Sequence, residues 1–172
     1  MSDQRVARPV PTAFEALYRR EFPAVVALAY VLSGSRHAAE ELAQDAFLAA
    51  HRRWDDVCEY DDPAAWVRRV CANRSVSLIR RRMSEARAMT RLAGRRALPD
   101  ELPPDASTFW RAVRRLPARQ AQVVALRYLE DMAVADIAAV LGCAEGTVKA
   151  HLHRARRSLA AELECELKEE ER

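Results

Sequence analysis

The stretch Leu141–Arg156, LGCAEGTVKAHLHRAR, decides the fold. A glycine turn leads into a run in which apolar residues return at helical spacing, while Thr, Lys, His and Arg fill the other positions. Reading backwards, Ala138, Gly142 and Val148 stand at Ala-x-x-x-Gly-x-x-x-x-x-Val, with Ile137, Leu141 and Leu152 completing an apolar set. That spacing suits a helix-turn-helix. A small residue lets the second helix cross the first, a glycine takes the left-handed turn, and a β-branched residue anchors the second helix.

The outward face of the second helix then decides what the motif is for. Thr147, Lys149, Ala150, His153, Arg154 and Arg156 are available there, and Arg127 adds a basic group from an earlier helix. Such a helix reads base edges with its N-terminal part and holds phosphates with flanking cations. The bland reading is a solvated basic face. Turn geometry and donors coincide, so DNA binding is the better one.

Outward from this motif, the chain has 172 residues, half of them hydrophobic, and only four glycines. Ala, Leu, Arg and Glu dominate, and these cost little in a helix. An all-α protein is expected. The net charge of +3 hides local blocks: Arg68, Arg69, Arg74, Arg80, Arg81 and Arg82 occur without an acid between Trp66 and Arg82, and the end from Glu162 is rich in Glu. Blocks of one sign speak to partners more than the total does. The opening MSDQRVARPVPT has no apolar core, and no run of about 18 apolar residues is available to cross a bilayer. A cytoplasmic protein without membrane insertion is expected. Cys58, Cys71, Cys143 and Cys165 form no C-x-x-C pair and read as buried free thiols. His151 and His153, two apart on a helix, diverge and make a poor ligand pair.

Two helical blocks are expected. The first, residues 14–83, carries Phe14, Leu17, Tyr18 and Phe22 at helical spacing and breaks at Ser33-Gly34-Ser35. A second helix follows with Leu42, Ala46, Phe47, Ala50 and Trp54 on one face, ended by DDVCEYDDP; Pro63 then opens a third. Residues 84–104, with one Gly and three Pro, read as a linker that is helical at its start. The second block, residues 105–165, holds a short stripe of Phe109, Val113 and Leu116 ending at Pro117. A helix through Leu126 and Tyr128 comes next, and then the helix-turn-helix. Each block is small enough to be marginal alone.

The third helix is distinctive. Trp66, Arg69, Asn73, Ser77 and Arg80 fall at steps of three or four and share a face, while Val67, Val70, Cys71 and Leu78 suit a core. An indole can stack on an unpaired base and Asn can bond a base edge. Trp66 as plain core remains an equal reading.

Three stretches together resemble a known family. AAEELAQDAFLAAHRRW is similar to the polymerase-docking helix of the small extracytoplasmic-function sigma factors of bacterial RNA polymerase. PAAWVRRVCANRSVSLIRRR resembles their promoter-melting and minus-10 helix. LPARQAQVVALRYLEDMAVADIAAVLGCAEGTVKAHLHRARRSL resembles their minus-35 helix-turn-helix. The resemblance implies core RNA polymerase and promoter DNA as partners, and an anti-sigma protein as the common inhibitor of such factors. It implies docking through Glu41, Gln44 and Asp45, with Leu42 and Phe47 in the core. Minus-10 contact would come from Trp66, Arg69, Asn73 and Ser77, with phosphates held by Arg80, Arg81 and Arg82. The loop Asp55–Asp62 would capture a flipped base. No catalytic residue, cofactor or metal is expected, since nucleotide chemistry belongs to the polymerase.

There are departures. Ala144 replaces a common N-capping Ser, at a cost of about 1 kcal/mol, and Ala150-His151 replaces a common Ser-Arg pair. The Glu-rich end extends past the family pattern. EGTVKAHL also resembles response-regulator-like transcription factors, which makes such a regulator the second reading; a metal or thiol sensor is a third, disfavoured by the Cys and His spacing.

Overall fold

The computed structural model describes residues 12–90 and 108–170, except for the side chains of 79–90 and 165–170. Among the described residues there are eight helices and no strand: α1 (Ala13–Ser33), α2 (Arg36–Arg52), α3 (Trp54–Val57), α4 (Pro63–Thr90), α5 (Thr108–Arg115), α6 (Ala118–Tyr128), α7 (Val134–Leu141) and α8 (Glu145–Glu170). The all-α, two-domain expectation holds.

The punctuation follows local chemistry. Thr12 and Glu15 form a capping box at the start of α1, with bonds of 3.2 and 2.8 Å. Gly34 ends α1 at φ 73°, and the Ser35 hydroxyl accepts from Ala38 N–H to start α2. Asp62 accepts from Ala65 N–H at 3.0 Å, so Asp62-Pro63 opens α4 with an acceptor followed by a ready-made φ. Trp54 does not belong to α2, as its spacing suggested. The helix stops at Arg52, and Trp54 begins the one-turn α3 that occupies part of the DDVCEYDDP stretch. α4 runs on to Thr90, through the helical start foreseen for 84–104; residues 91–107 lie outside the described ones.

The N-terminal helices pack around Leu17, Val25, Leu42, Phe47, Val67 and Cys71. Ala39, Ala43, Ala46 and Ala50, one row of α2, are fully buried and let α1 come close. Phe47 meets the rings of Tyr18 and Phe22 at 4.9 and 5.8 Å. In the C-terminal half, Ile137, Leu141, Val148 and Leu152 join the core that the motif required. α7 ends at Gly142 with φ 64°, and Cys143 N–H reaches back to the Ala138 carbonyl at 3.0 Å.

The N-terminal half has a core of its own, but the C-terminal core is not closed off from it. Leu28, Val31 and Leu32 of α1 and Ala72 of α4 are buried in the C-terminal core. The second of the two cores thus draws on both blocks, which offsets the poor surface-to-volume ratio of each.

The cysteines need correcting. Cys71 is buried, and burial pushes its thiol up to about 12. Cys58 is exposed, with its thiol bonded to the Asp55 carbonyl, and Cys143 is half-buried. Cys165 lies outside the described side chains. The histidines diverge as expected: His153 is exposed and His151 half-buried.

Candidate nucleic-acid and polymerase interface

α8 leaves the Gly142 turn with Ala144 at the position where a capping side chain would stand, and the Ala144 carbonyl accepts from Thr147 N–H at 2.9 Å and Val148 N–H at 3.2 Å. Val148, Leu152, Ala155 and Leu159 bury the inner face. Thr147, Lys149, Ala150, His153 and Arg154 are all exposed on the rest. Their ties are weak. Lys149 lies 3.5 Å from Glu145, one turn earlier, and Arg154 Nε donates to the Ala150 carbonyl at 3.3 Å. The face is therefore free to meet a groove, and the helix holds it in place from behind.

Two of the basic candidates have structural partners. Arg156 Nε donates to the Tyr128 hydroxyl at 2.9 Å. Arg127 donates to the Met132 carbonyl at 2.8 Å and lies 3.7 Å from Asp131, itself in the left-handed region at φ 49°. A non-glycine residue in that region needs support. The Arg127 bond across the turn supplies it, so Arg127 clamps the α6–α7 junction.

Beside Arg154 is an open groove of about 400 Å³, lined by Gln120, Arg154, Arg157, Ser158 and Ala161. Arg157, one turn beyond Arg154, extends the cationic row. It was not among the sequence candidates, although its spacing from Arg154 was the signal. His151 turns toward this side. Burial, then the nearby Arg154 and Arg119 cations, hold its pKa below the ordinary histidine value. A lowered value leaves the ring neutral near pH 7, so His151 adds no charge.

On α4, Asn73 and Ser77 are exposed, and the Ser77 hydroxyl donates to the Asn73 carbonyl at 3.2 Å. Trp66 is half-buried and packs on the N-terminal core. Both readings of it thus keep part of their content: one flank is packed and the other open. Arg69 is exposed, and its guanidinium lies over Gly142 of the helix-turn-helix. Arg80, Arg81 and Arg82 continue α4, but their side chains lie outside the described residues. Residues 55, 56 and 58–62 are exposed, as a capture loop requires.

Arg68 is turned away from solvent. It donates to Glu130 at 2.7 Å and to Glu21 at 2.8 Å, and the three side chains are only 16, 7 and 12% exposed. Burial works against the Arg68 charge, but Glu130 and Glu21 outweigh it and raise its pKa. Burial likewise raises the Glu21 carboxyl, and Arg20 and Arg68 outweigh that, leaving it below its ordinary value.

α2 divides as its pattern suggested. Leu42 and Phe47 are buried, while Glu41, Gln44 and Asp45 are exposed. Glu41 lies 3.4 Å from His37, and Asp45 accepts from Arg74 of α4 at 2.6 Å. Exposed pairs of this kind contribute little to stability, so these groups remain open to exchange partners.

Comparison with known proteins gives this geometry its context. A model described as Sigma-70 region 2 matches residues 17–85, and one described as Sigma-70, region 4 matches residues 106–159. The chain is 33% identical over 153 residues to ECF RNA polymerase sigma factor SigM of Mycobacterium tuberculosis, a match covering 86% of this chain and 76% of the relative. With ECF RNA polymerase sigma factor SigW of Bacillus subtilis it shares 27% identity over 151 residues, covering 79% and 81%. Its fold is similar to that of sigma factor RpoE, solved in complex with the anti-sigma factor NepR from Bartonella quintana. The TM-score there is 0.70 with 27% identity, over 88% of this chain and 96% of that one.

Proposed function

Because this chain belongs to the extracytoplasmic-function sigma factors and directs promoter recognition with RNA polymerase, we propose a division of labour among its helices. α8 reads the minus-35 element through Thr147, Lys149, Ala150, His153 and Arg154. Arg156 and Arg157 lie along the phosphates, and Arg127 acts by holding the turn that presents α7 and α8. α4 meets the minus-10 element with Trp66, Arg69, Asn73 and Ser77, followed by the Arg80–Arg82 run. α2 docks on core polymerase with Glu41, Gln44 and Asp45. Residues 14–83 and 105–165 are then the two working domains, and 84–104 joins them.

One observation supports this most. Thr147, Lys149, His153 and Arg154 of α8 are exposed together beyond the Gly142 turn, while Val148, Leu152, Ala155 and Leu159 are buried together. The chain supplies recognition and leaves nucleotide chemistry to the polymerase, in the cytoplasm where both are found. An anti-sigma protein, the kind of partner RpoE is held with, would act here by covering these exposed faces. Reconstituted transcription with purified core enzyme tests the reading. The chain should be pulled down by core polymerase and should confer promoter-specific initiation. A chain that binds paired DNA half-sites as a dimer, without polymerase, would instead be a response-regulator-like factor.

The docking helix gives a sharp expectation. Asp45→Lys places a second cation beside Arg74 and removes an acid from the proposed contact. Binding to core polymerase should fall at least about tenfold, while the melting temperature shifts little, because substitutions at exposed positions rarely move stability by more than about 0.5 kcal/mol. Unchanged co-purification removes α2 from the contact.

For α4, Trp66→Ala with Asn73→Ala should still assemble with polymerase and locate the promoter in its closed form. Strand opening, followed by permanganate reactivity of unpaired thymines, should drop about tenfold or more, since lost stacking is worth about 1–3 kcal/mol per base. A template with a pre-melted bubble should recover most transcription. Trp66 is half-buried, so the double variant is compared at matched helical circular dichroism. Asn73→Ala alone, at an exposed position, gives the reading free of packing loss. Normal opening by both variants would remove α4 from melting.

A further inference from the structure

The groove beside Arg154 has a chemistry of its own, apart from the face of α8 that reads bases. It is open, about 400 Å³ in volume, and lined by Gln120 of α6 and by Arg154, Arg157, Ser158 and Ala161 of α8. Among the described residues no acid lines it, and Glu162, one turn past Ser158, is engaged by Arg115 of α5. Gln120 stands in the first turn of α6, which Pro117 begins without a side-chain cap, so the positive end of that helix dipole is uncovered. His151, Arg154, Ser158 and Ala161 step by three and four and share one side of α8. Two buried atoms, Gln120 Oε1 and His151 Nδ1, have no hydrogen-bond partner among the described residues. Unpaired buried polar atoms are uncommon in folded proteins, and a bound ligand is one way to satisfy them. The cations acting on the His151 ring are Arg154 of its own helix and Arg119 of α6.

Two guanidiniums, a hydroxyl, an amide and a neutral imidazole make a socket for a compact anion. Arg154 and Arg157 belong both to this groove and to the exposed side of α8. The groove therefore continues the DNA-facing surface, which favours a phosphodiester over a carboxylate of a protein partner. We propose that it seats one phosphate of the promoter backbone, held by Arg154, Arg157, Ser158 and Gln120, and that His151 takes up a proton from solvent as the phosphate enters. Gln120 presents its amide N–H by turning about its last bond. The inference rests on the reading of α8 given above and adds a pH dependence to it. In the free protein, burial and then the Arg154 and Arg119 cations hold the imidazole below its ordinary value. A bound phosphate opposes those cations and raises it. Between the free and bound values the complex carries one proton more than its separate parts. Affinity therefore rises as pH falls through the bound value, and levels off below the free value.

The test uses holoenzyme made from core polymerase and the full chain, titrated with the cognate promoter duplex at pH 8 and pH 6, at a temperature that keeps the complex closed. Wild-type affinity, relative to His151→Gln, should rise about three- to tenfold at pH 6, tenfold being the ceiling for an imidazole raised by about one pH unit. His151→Gln keeps a neutral polar group, so it should match the wild type at pH 8 and lack that gain at pH 6. Comparing the two cancels the response of the polymerase itself to pH. A second measurement needs no variant. Wild-type holoenzyme is offered duplexes in which a neutral methylphosphonate replaces one phosphate at a time around the minus-35 element, and the gain should vanish at a single position. The same pH response in His151→Gln, or a gain that survives at every methylphosphonate position, overturns the proposal. So does complete loss of the gain in low-millimolar inorganic phosphate, which would assign the groove to free phosphate. Absence of promoter binding at either pH overturns the sigma reading and this inference with it. Promoter binding without the gain overturns this inference alone.

Discussion

Replacing Lys149 and Arg154 together by alanine is expected to lower transcription from the cognate promoter about a hundredfold or more. Each contact to a base or phosphate is worth about 1–3 kcal/mol, and the two sit on different parts of the α8 face. Neither side chain holds the fold: Lys149 is 66% exposed with one neighbour at 3.5 Å, and Arg154 bonds only its own helix. Folding stability and core-polymerase binding should therefore remain at wild-type level. Lys149 also partners Glu145, so its removal leaves that carboxylate without its side-chain cation on the face that meets a polyanion. For that reason Lys149→Ala should cost more than Arg154→Ala, and Lys149→Ala with Glu145→Gln should regain part of the loss. Transcription measured in parallel on minus-35 variants shows whether base preference relaxes at one position. Wild-type rates from the double variant would remove this face from promoter reading.

The opposite side of α2 gives the second large effect. Phe47 is 2% exposed and touches Tyr18 and Phe22 within a row of buried alanines. Phe47→Ala is expected to cost about 3–5 kcal/mol, because the alanine row offers no long side chain to fill the void. On a unit of this size that is a fall in melting temperature of more than about 10 °C. Polymerase binding should be lost in proportion to unfolding and return on cooling, unlike the Asp45→Lys defect, which is independent of temperature. Thermal denaturation followed by circular dichroism reads the first quantity, and pull-down at two temperatures reads the second.

What was legible in the sequence was local. Gly142, Gly34 and Asp62-Pro63 mark helix ends by backbone chemistry, and the structure puts ends at each. The inward and outward sides of α2 follow from period alone, so Leu42 and Phe47 separate from Glu41, Gln44 and Asp45. The break after Arg52 went unread because Arg53 is neither Gly nor Pro, and Trp54 continued the apolar period by coincidence. Cys58 sits in an acidic, exposed stretch, and composition alone gave it a buried place. Arg127 looked like one more cation, since its work depends on the unusual φ of Asp131 four residues on. The bridge from Arg68 joins residues 47 and 62 positions away, and no local pattern encodes such a partner. The shared core was missed for the same reason.

That shared core bears on how such proteins can be recombined. A hybrid that joins residues 12–90 to the C-terminal half of a relative would look modular by its sequence boundaries. It would also have to retain Gln122 and Glu130, whose partners lie in the neighbouring half. Where the incoming half lacks them, Arg68 is left facing one carboxylate and the Ala72 carbonyl loses its side-chain donor. The hybrid's promoter choice would then travel with α8, while its stability would be set at the seam. Exchange of promoter specificity between relatives is thus best made by grafting the exposed face of α8 alone, with everything behind it left native.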